Sequence, residues 1–125
     1  MTIAQYYRSI LGDSPYPSLT VALLKGNAPG GHSPAQVAAI RRPSATAPKV
    51  FRNDPATMDD YPEFFPAHEI AHQWWGQAVG WNNYHDQWMS EALAQYFAAL
   101  YARERRGDQA FREVMRQFRR WAIRL

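Results

Sequence analysis

His68-Glu69-Ile70-Ala71-His72 is the stretch that decides how this chain is interpreted, because it can place two imidazoles and a carboxylate on one turn of a helix. Residues four positions apart lie on the same helix face, so His68 and His72 can bind a single metal ion. Glu69 then lies beside that ion without binding it. Neutral imidazole is a preferred zinc ligand, and a catalytic zinc site uses three protein ligands. The stretch therefore predicts two zinc ligands and requires a third from elsewhere in the chain.

Helix signals surround this stretch and recur further along the chain. Pro66 suits the first turn of a helix and Gly76 suits its end, so we expect a helix over Ala67–Trp75 that contains both histidines. Apolar residues recur at helical spacing from Gln87 to about Arg105, which predicts a long amphipathic helix. Glycine and asparagine residues between the two helices suit a turn.

Glu91 is the candidate third ligand, because it lies one turn into the long helix after a connection that allows the two helices to pack together. Two imidazoles and a carboxylate form the ligand set of His₂Glu catalytic sites, in which a fourth position is kept for water. The sequence therefore predicts one Zn²⁺ ion held by His68, His72 and Glu91. Such an ion activates water, and Glu69 is placed to accept the proton as general base.

Other polar and aromatic side chains near the motif have structural interpretations as well. Gln95 follows Glu91 by one helical turn and is a candidate to orient a metal ligand by hydrogen bonding, with ordinary helix packing as the alternative. The tryptophans of this region are predicted to be core residues and not a substrate stack: Trp74, Trp75, Trp81 and Trp88.

The first forty residues predict a short helix followed by a small β portion. Apolar spacing over residues 2–12 indicates the helix, and alternation over Ser18–Leu24 indicates a strand. Gly26–Pro34 is predicted to be a loop because it is rich in glycine and proline. Gln36–Arg41 is interpreted as a second strand, with a short helix as the alternative.

The middle and the end of the chain differ in character. Arg42–Pro62 is proline-rich and predicted to be irregular, apart from an extended piece near Val50 and Phe51. After the long helix, Gly107 acts as a stop and Asp108 can cap a last helix. The apolar stripe of that helix is predicted to be Phe111, Val114, Met115, Phe118, Trp121 and Ile123. Since no stop signal ends it, we expect the chain to be cut from a longer protein.

Length and composition set limits on the class of protein. The chain has 125 residues, 46% hydrophobic and 20% charged, which suits one domain with one core. Cysteine is absent, so a metal must be held by histidine and carboxylate. No apolar run is long enough for a membrane span and no signal peptide pattern begins the chain, while the compartment is left open.

The formal charge of +3 comes from arginines that cluster in the last quarter of the chain. Apolar residues are interleaved with them at helical spacing, which favours a solvated helix face. We expect no nucleic-acid partner, because no DNA- or RNA-binding motif accompanies the charge.

The combination of HExxH with a glutamate separated from it by eighteen intervening residues resembles the gluzincin metallopeptidases, and most closely the membrane alanyl aminopeptidase (aminopeptidase N) family. Two stretches carry the resemblance: His72-Gln73-Trp74-Trp75-Gly76 and Trp88-Met89-Ser90-Glu91-Ala92. Pro15–Leu24 is similar to the strand that leads to that family's substrate-binding loop. The resemblance spans roughly residues 5–124, and its specific part is residues 61–101.

This resemblance implies an α+β, mainly helical, thermolysin-like catalytic core. We expect residues 1–125 to be a single fragment of a metallopeptidase catalytic domain. About residues 1–60 would form its strand- and loop-rich part, and about residues 61–125 its helical zinc-site part with the HExxH helix, the helix of the glutamate ligand and a C-terminal amphipathic helix. The implied activity is aminopeptidase-like, zinc-dependent hydrolysis of peptide substrates.

Two departures from the family pattern limit that expectation. The family loop whose glutamate binds the substrate's free amine should fall near residues 30–35, where this chain has no carboxylate, and Gly31 and His32 are the candidate substrate-loop residues. The family's oxyanion-stabilising tyrosine would lie beyond Leu125, so we expect weak activity, or none, from this chain alone. The alternatives are an endopeptidase without amino-terminal specificity, a zinc-binding but catalytically silent interaction domain, and a basic adaptor without metal.

Overall fold

The computed structural model describes residues 1–25, 30–41, 58 and 60–123. Within these residues the fold is mixed α and β, as predicted, with four α-helices and a three-stranded sheet. The extended piece predicted near Val50 and Phe51 lies outside the described residues. None of the helices in the described ranges combines the length and apolar character that a membrane crossing requires.

Helix α1, Ile3–Leu11, is bounded by local hydrogen bonds that the sequence encodes. The Thr2 hydroxyl accepts from the Gln5 backbone N–H at 3.2 Å, and the Gln5 side chain accepts from the Thr2 N–H at 2.9 Å, which forms a capping box. Gly12 ends the helix with a φ of 83°, in the left-handed region that favours glycine. The prediction of a short helix over residues 2–12 is confirmed.

The sheet consists of β1, Thr20–Leu24, β2, Gly30–His32, and β3, Val37–Arg41, in the order β1-β3-β2. Strand β3 is central: it pairs in parallel with β1 and antiparallel with β2. Its residues Ala38 and Ile40 are buried, whereas most of β1 is exposed. Both strands predicted in this region are confirmed, and the alternative of a short helix at residues 36–41 is wrong.

The prediction of a loop over Gly26–Pro34 is wrong for residues 30–32, which form β2. Gly31 lies opposite Ile40 and His32 opposite Ala39 in the antiparallel pair. Glycine contributes no side chain to a periodic pattern, so a strand of this composition has no local signal. It exists because its backbone groups pair with those of β3, the next strand along the chain.

Helix α2, Phe64–Ala71, begins earlier and ends earlier than the predicted helix over Ala67–Trp75. His72 is therefore not inside the helix as predicted but is the residue that follows it. It nevertheless keeps helical backbone angles, with φ −63° and ψ −16°. After it the chain tightens into turns whose N–H groups bond three residues back, and the left-handed Gly76, with a φ of 113°, redirects the chain.

The second half of the chain is helical, as predicted. A short 3₁₀ helix over Tyr84–Asp86 leads into α3, Gln87–Arg106, and α4 spans Asp108–Ile123. Gly107 ends α3 as predicted. Of the predicted apolar stripe of α4, Val114 is fully buried, but Ile123 is 70% exposed and does not belong to the core.

The core lies where α1, α2 and α3 meet, and small side chains there let the helices approach one another. Ala67 and Ala71 of α2 and Ala94 and Ala98 of α3 are all fully buried in one cluster. Tyr7 of α1 is fully buried as well, and its hydroxyl donates to the Ala67 carbonyl at 2.8 Å, which satisfies both polar groups. This packing brings the end of α2 against α3.

Candidate metal centre

Three side chains from two segments converge where α2 meets α3. The Nε2 atoms of His68 and His72 are 3.1 Å apart. The carboxylate of Glu91 lies 3.3 Å from His68 Nε2 and 3.4 Å from His72 Nε2. In the described part of the chain, these residues form the group of His, Asp and Glu side chains able to hold a metal ion. The three residues predicted as ligands are thus brought together.

The spacing of these donor atoms fits zinc. A tetrahedral zinc ion with bonds of about 2.0–2.1 Å holds its ligand atoms about 3.3–3.4 Å apart. The three measured separations, 3.1, 3.3 and 3.4 Å, lie close to this value. Two nitrogens and one carboxylate oxygen also match the donor preference of zinc. The residues present therefore fit one Zn²⁺ ion.

The histidine after α2 is held in the form that binds a metal. Its Nδ1 lies 2.9 Å from the carbonyl oxygen of Trp75. Because a carbonyl only accepts, the His72 Nδ1 carries the proton and donates, so Nε2 is the ring nitrogen that faces the shared centre. The Nδ1 of His68 is buried and has no hydrogen-bond partner among the described residues.

Electrostatics couple the carboxylate to the two imidazoles. Hydrogen bonds from His68 and His72 hold the pKa of the Glu91 carboxyl well below its usual range, although its side chain is 52% exposed. Burial alone would lower the pKa of His72, but hydrogen bonds with Glu91 and the Trp75 carbonyl raise it above its usual value. The cluster thus favours a negative carboxylate that attracts positive charge at this point.

Glu69, the predicted general base, lies buried beside the ligands with 6% of its surface exposed. Its Oε2 accepts a hydrogen bond of 2.7 Å from the Ser33 hydroxyl, which is also buried. Strand β2 runs directly against the carboxylate, because a Cβ placed on Gly31 would lie 2.2 Å from Glu69 Cδ. Ser33 is not among the residues predicted for the site, since no local pattern distinguishes a serine after two glycines and a histidine.

An open cleft of about 420 Å³ adjoins the three ligands and Glu69. Gly31 and His32, predicted as substrate-loop residues, both line it. The prediction that Trp81 and Trp88 are core residues is wrong, since they are 45% and 66% exposed, and Trp81 lines the cleft. Both tryptophan side chains lie outside the regions where α1, α2 and α3 pack. Their apolar character alone does not show whether other elements cover them.

The other two tryptophans pack as predicted. Trp74 is buried in the core and its indole N–H donates to the Asp13 carbonyl at 3.2 Å, while Trp75 packs partly buried against the same cluster. Gln95 does not line the cleft, and its buried Oε1 has no partner among the described residues. Its role in orienting a ligand stays a prediction.

Two histidines one helical turn apart and a glutamate from a facing helix form a cluster that could hold one metal ion. A comparison with protein-family models matches residues 57–123 to the peptidase family M1 domain, which is more than half of the chain. The chain therefore belongs to peptidase family M1. The match includes the specific part of the expected resemblance, residues 61–101, whereas residues 5–56 lie outside it. No curated protein and no solved structure matches the chain.

Membership of this family suggests zinc-dependent hydrolysis of peptides. M1 peptidases are zinc enzymes, and the cluster of His68, His72 and Glu91 is where this chain could hold the metal. A peptide is the class of substrate that the family implies.

Proposed function

We propose that this protein hydrolyses peptide bonds in a zinc-dependent reaction in which Glu69 is the general base. The observation that carries the proposal is the convergence of His68, His72 and Glu91 at zinc spacing, with the Glu69 carboxylate buried directly beside them. A thermolysin-like arrangement of the catalytic core is part of the same proposal, with the metal between α2 and α3.

The three ligands would be His68 Nε2, His72 Nε2 and one oxygen of Glu91. Zinc bound there supplies Lewis-acid chemistry, polarising a substrate carbonyl and lowering the pKa of water towards about 7. The hydrogen bond from His72 Nδ1 to the Trp75 carbonyl keeps that imidazole in the ligating tautomer. Gln95, one turn after Glu91, is proposed to steady the glutamate ligand.

Glu69 is proposed to accept the proton of the attacking water and to pass it to the leaving amine. It is adjacent in sequence to His68, and its carboxylate borders the cleft. Because Glu69 itself is largely shielded from solvent, it exchanges protons with substrate more readily than with bulk solvent, which suits a base that must return the proton. Gly31 and His32 are proposed to border the bound peptide, since β2 forms one wall of the cleft.

The resemblance to the aminopeptidase N family is the reason for proposing an aminopeptidase-like mode of cleavage, and cleavage inside peptides is the second candidate. In the described part of the chain, the carboxylates that line the cleft are Glu69 and Glu91. Both have tasks at the metal, so neither is free to pair with a substrate ammonium group. This observation favours the second candidate, an endopeptidase without amino-terminal specificity.

The test is a comparison of the natural protein, expressed at its full natural length, with its Glu69→Gln variant. We expect one zinc ion in each protein purified without chelator, and a loss of hydrolysis of about 10²- to 10⁴-fold in the variant. Glu104→Gln, the same change on an exposed face of α3, is the matched control and should hydrolyse peptides normally. Zinc with no hydrolysis in any form would identify a catalytically silent zinc domain, and absence of zinc would contradict the proposal altogether.

The same preparation separates the two modes of cleavage. Peptides are supplied with a free and with an acetylated amino terminus, and products are identified by mass spectrometry. Cleavage only after the first residue of free peptides supports the aminopeptidase, whereas equal cleavage of acetylated peptides supports the endopeptidase.

A further inference from the structure

Ser33 makes a specific contact with the proposed general base. Its hydroxyl donates to Glu69 Oε2 at 2.7 Å, and the two residues are only 7% and 6% exposed. A buried carboxylate without hydrogen bonds is costly, so this bond matters to the ionised form. It also occupies one oxygen of the carboxylate and leaves Oε1 as the oxygen that can take up a proton.

The loop that carries Ser33 is itself fixed to the metal-binding segment by Gln73. The Gln73 side chain accepts from the Gln36 backbone N–H at 2.7 Å and donates to the carbonyls of Pro34 and Val37 at 3.1 Å each. Gln73 is 3% exposed and directly follows the second histidine of the motif. One amide therefore holds the turn between β2 and β3 in register with the zinc ligands.

The backbone of this turn supports the same conclusion. Gln36 has a φ of 68°, in the left-handed region that non-glycine residues rarely adopt. Such a conformation persists when surrounding contacts determine it, and it is concentrated at functional sites. Here the contact is the hydrogen bond from the Gln36 N–H to Gln73.

We propose that Ser33 is a positioning residue for Glu69, and that Gln73 holds Ser33 in place. The inference rests on the proposed function, in which Glu69 is the general base. It goes beyond that function because it assigns a task to a serine and a glutamine that neither bind the metal nor exchange protons with substrate. Without the Ser33 hydroxyl, the carboxylate can rotate about its last bonds and lose its orientation towards the cleft.

The test measures binding of acetohydroxamate to the zinc-loaded protein by calorimetry, so it does not depend on turnover. A hydroxamate beside a metal needs an acceptor for its acidic hydroxyl, which Glu69 provides when it is held in position. We expect Ser33→Ala to weaken binding about fivefold to twentyfold with zinc content unchanged. Ser33→Thr keeps the hydroxyl and should bind within about twofold of the native protein.

Two further variants make the result specific. Ser33→Cys is close in size but a weak donor, so it should behave like Ser33→Ala, and the chain has no other cysteine with which it could pair. Gln73→Leu should weaken binding as well, because it releases the loop that carries Ser33. In a Glu69→Gln background, Ser33→Ala should have almost no further effect.

Each outcome decides one of the two proposals. Native affinity in Ser33→Ala, together with a large loss in Glu69→Gln, overturns the role of Ser33 and leaves the proposed function intact. Equal losses in Ser33→Ala and Ser33→Thr overturn it too, because packing and not the hydroxyl would then be responsible. A native protein without zinc, or one in which Glu69→Gln binds acetohydroxamate normally, overturns the proposed function.

Discussion

Replacing Gly31 by alanine tests how closely strand β2 packs on the predicted base. A Cβ at this position would lie 2.2 Å from both Cδ and Oε1 of Glu69 and 2.7 Å from its Cγ. Ordinary contacts between such atoms are about 3.5–4.0 Å. The φ of Gly31 is not in the left-handed region, so the expected penalty is steric and not conformational.

The size of the penalty follows from what must move. The Glu69 carboxylate can withdraw from the new methyl group only by giving up its 2.7 Å hydrogen bond with Ser33, and a bond to a charged group contributes about 1.5–3 kcal/mol. Overpacking of a closed site adds about 1–3 kcal/mol where the backbone shifts instead. Movement of the carboxylate reduces the need for a backbone shift, so the two penalties do not add in full. We expect Gly31→Ala to lower the free energy of unfolding by about 2–4 kcal/mol.

The assay is urea denaturation followed by circular dichroism, with Gly80→Ala as the matched control. A Cβ on Gly80 has no atom within 4 Å, and its φ is outside the left-handed region. Alanine at position 80 should leave the free energy of unfolding unchanged or raise it by about 0.4–1 kcal/mol, because alanine lowers the conformational entropy of the unfolded chain. Gly31→Ala and Gly80→Ala share this effect. Their difference therefore isolates the contact with Glu69.

Equal stability of the two variants would refute this reasoning. It would mean that β2 does not lie against the carboxylate, and the proposed positioning of Glu69 by Ser33 would lose its structural basis. A smaller loss accompanied by normal acetohydroxamate binding would show that the strand, and not the carboxylate, moves to accommodate the methyl group.

Three further predictions concern other parts of the molecule. Tyr7→Phe removes a buried donor from the Ala67 carbonyl and should lower the free energy of unfolding by about 1–3 kcal/mol in urea denaturation. Zinc affinity, measured by calorimetry across pH, should fall with decreasing pH because zinc needs neutral imidazole. Since the pKa of His72 is raised, this fall should begin above pH 6.5, the pKa of an ordinary imidazole. Burial and the hydrogen bond to Glu113 raise the pKa of Tyr61 to about 12. The stability that the neutral Tyr61 contributes is therefore complete below pH 10.0 and is lost as the pH rises from there towards 12. Denaturation measured at a series of alkaline pH values checks this loss.

Each of these has a contradicting result. Native stability of the Tyr7 variant would mean that the Ala67 carbonyl finds another partner. Zinc affinity that is flat from neutral to acidic pH would exclude imidazole ligands. A Tyr61→Phe variant that loses stability over the same alkaline range as the native protein would show that another group is responsible.

The helices and the pair of histidines at ligand spacing could be predicted because their signals are local. The spacing of His68 and His72 and the apolar periodicity of α3 depend only on the geometry of one helix. The position of a residue in the sequence therefore shows which face of the helix its side chain occupies. The end of α2 was predicted wrongly: the helix ends at Ala71, because the N–H groups of Gln73 and Trp74 bond three residues back and tighten the chain before Gly76.

The two exposed tryptophans and β2 could not be predicted for a different reason. Trp81 and Trp88 have the composition of core residues, but burial depends on which surfaces other elements cover. The strand Gly30–His32 carries almost no side-chain pattern, and it forms only because β3 offers hydrogen-bond partners.

By itself, the sequence determined which residues are candidate metal ligands, and it indicated the helices around them and the family to which the chain belongs. Only the tertiary structure decided that His68, His72 and Glu91 meet at zinc spacing, and that Ser33 reaches Glu69 across 36 positions of sequence. The physical reason is that helix periodicity is a property of neighbouring residues. Contacts such as that of Ser33 exist only after sheet pairing and core packing have brought distant segments together.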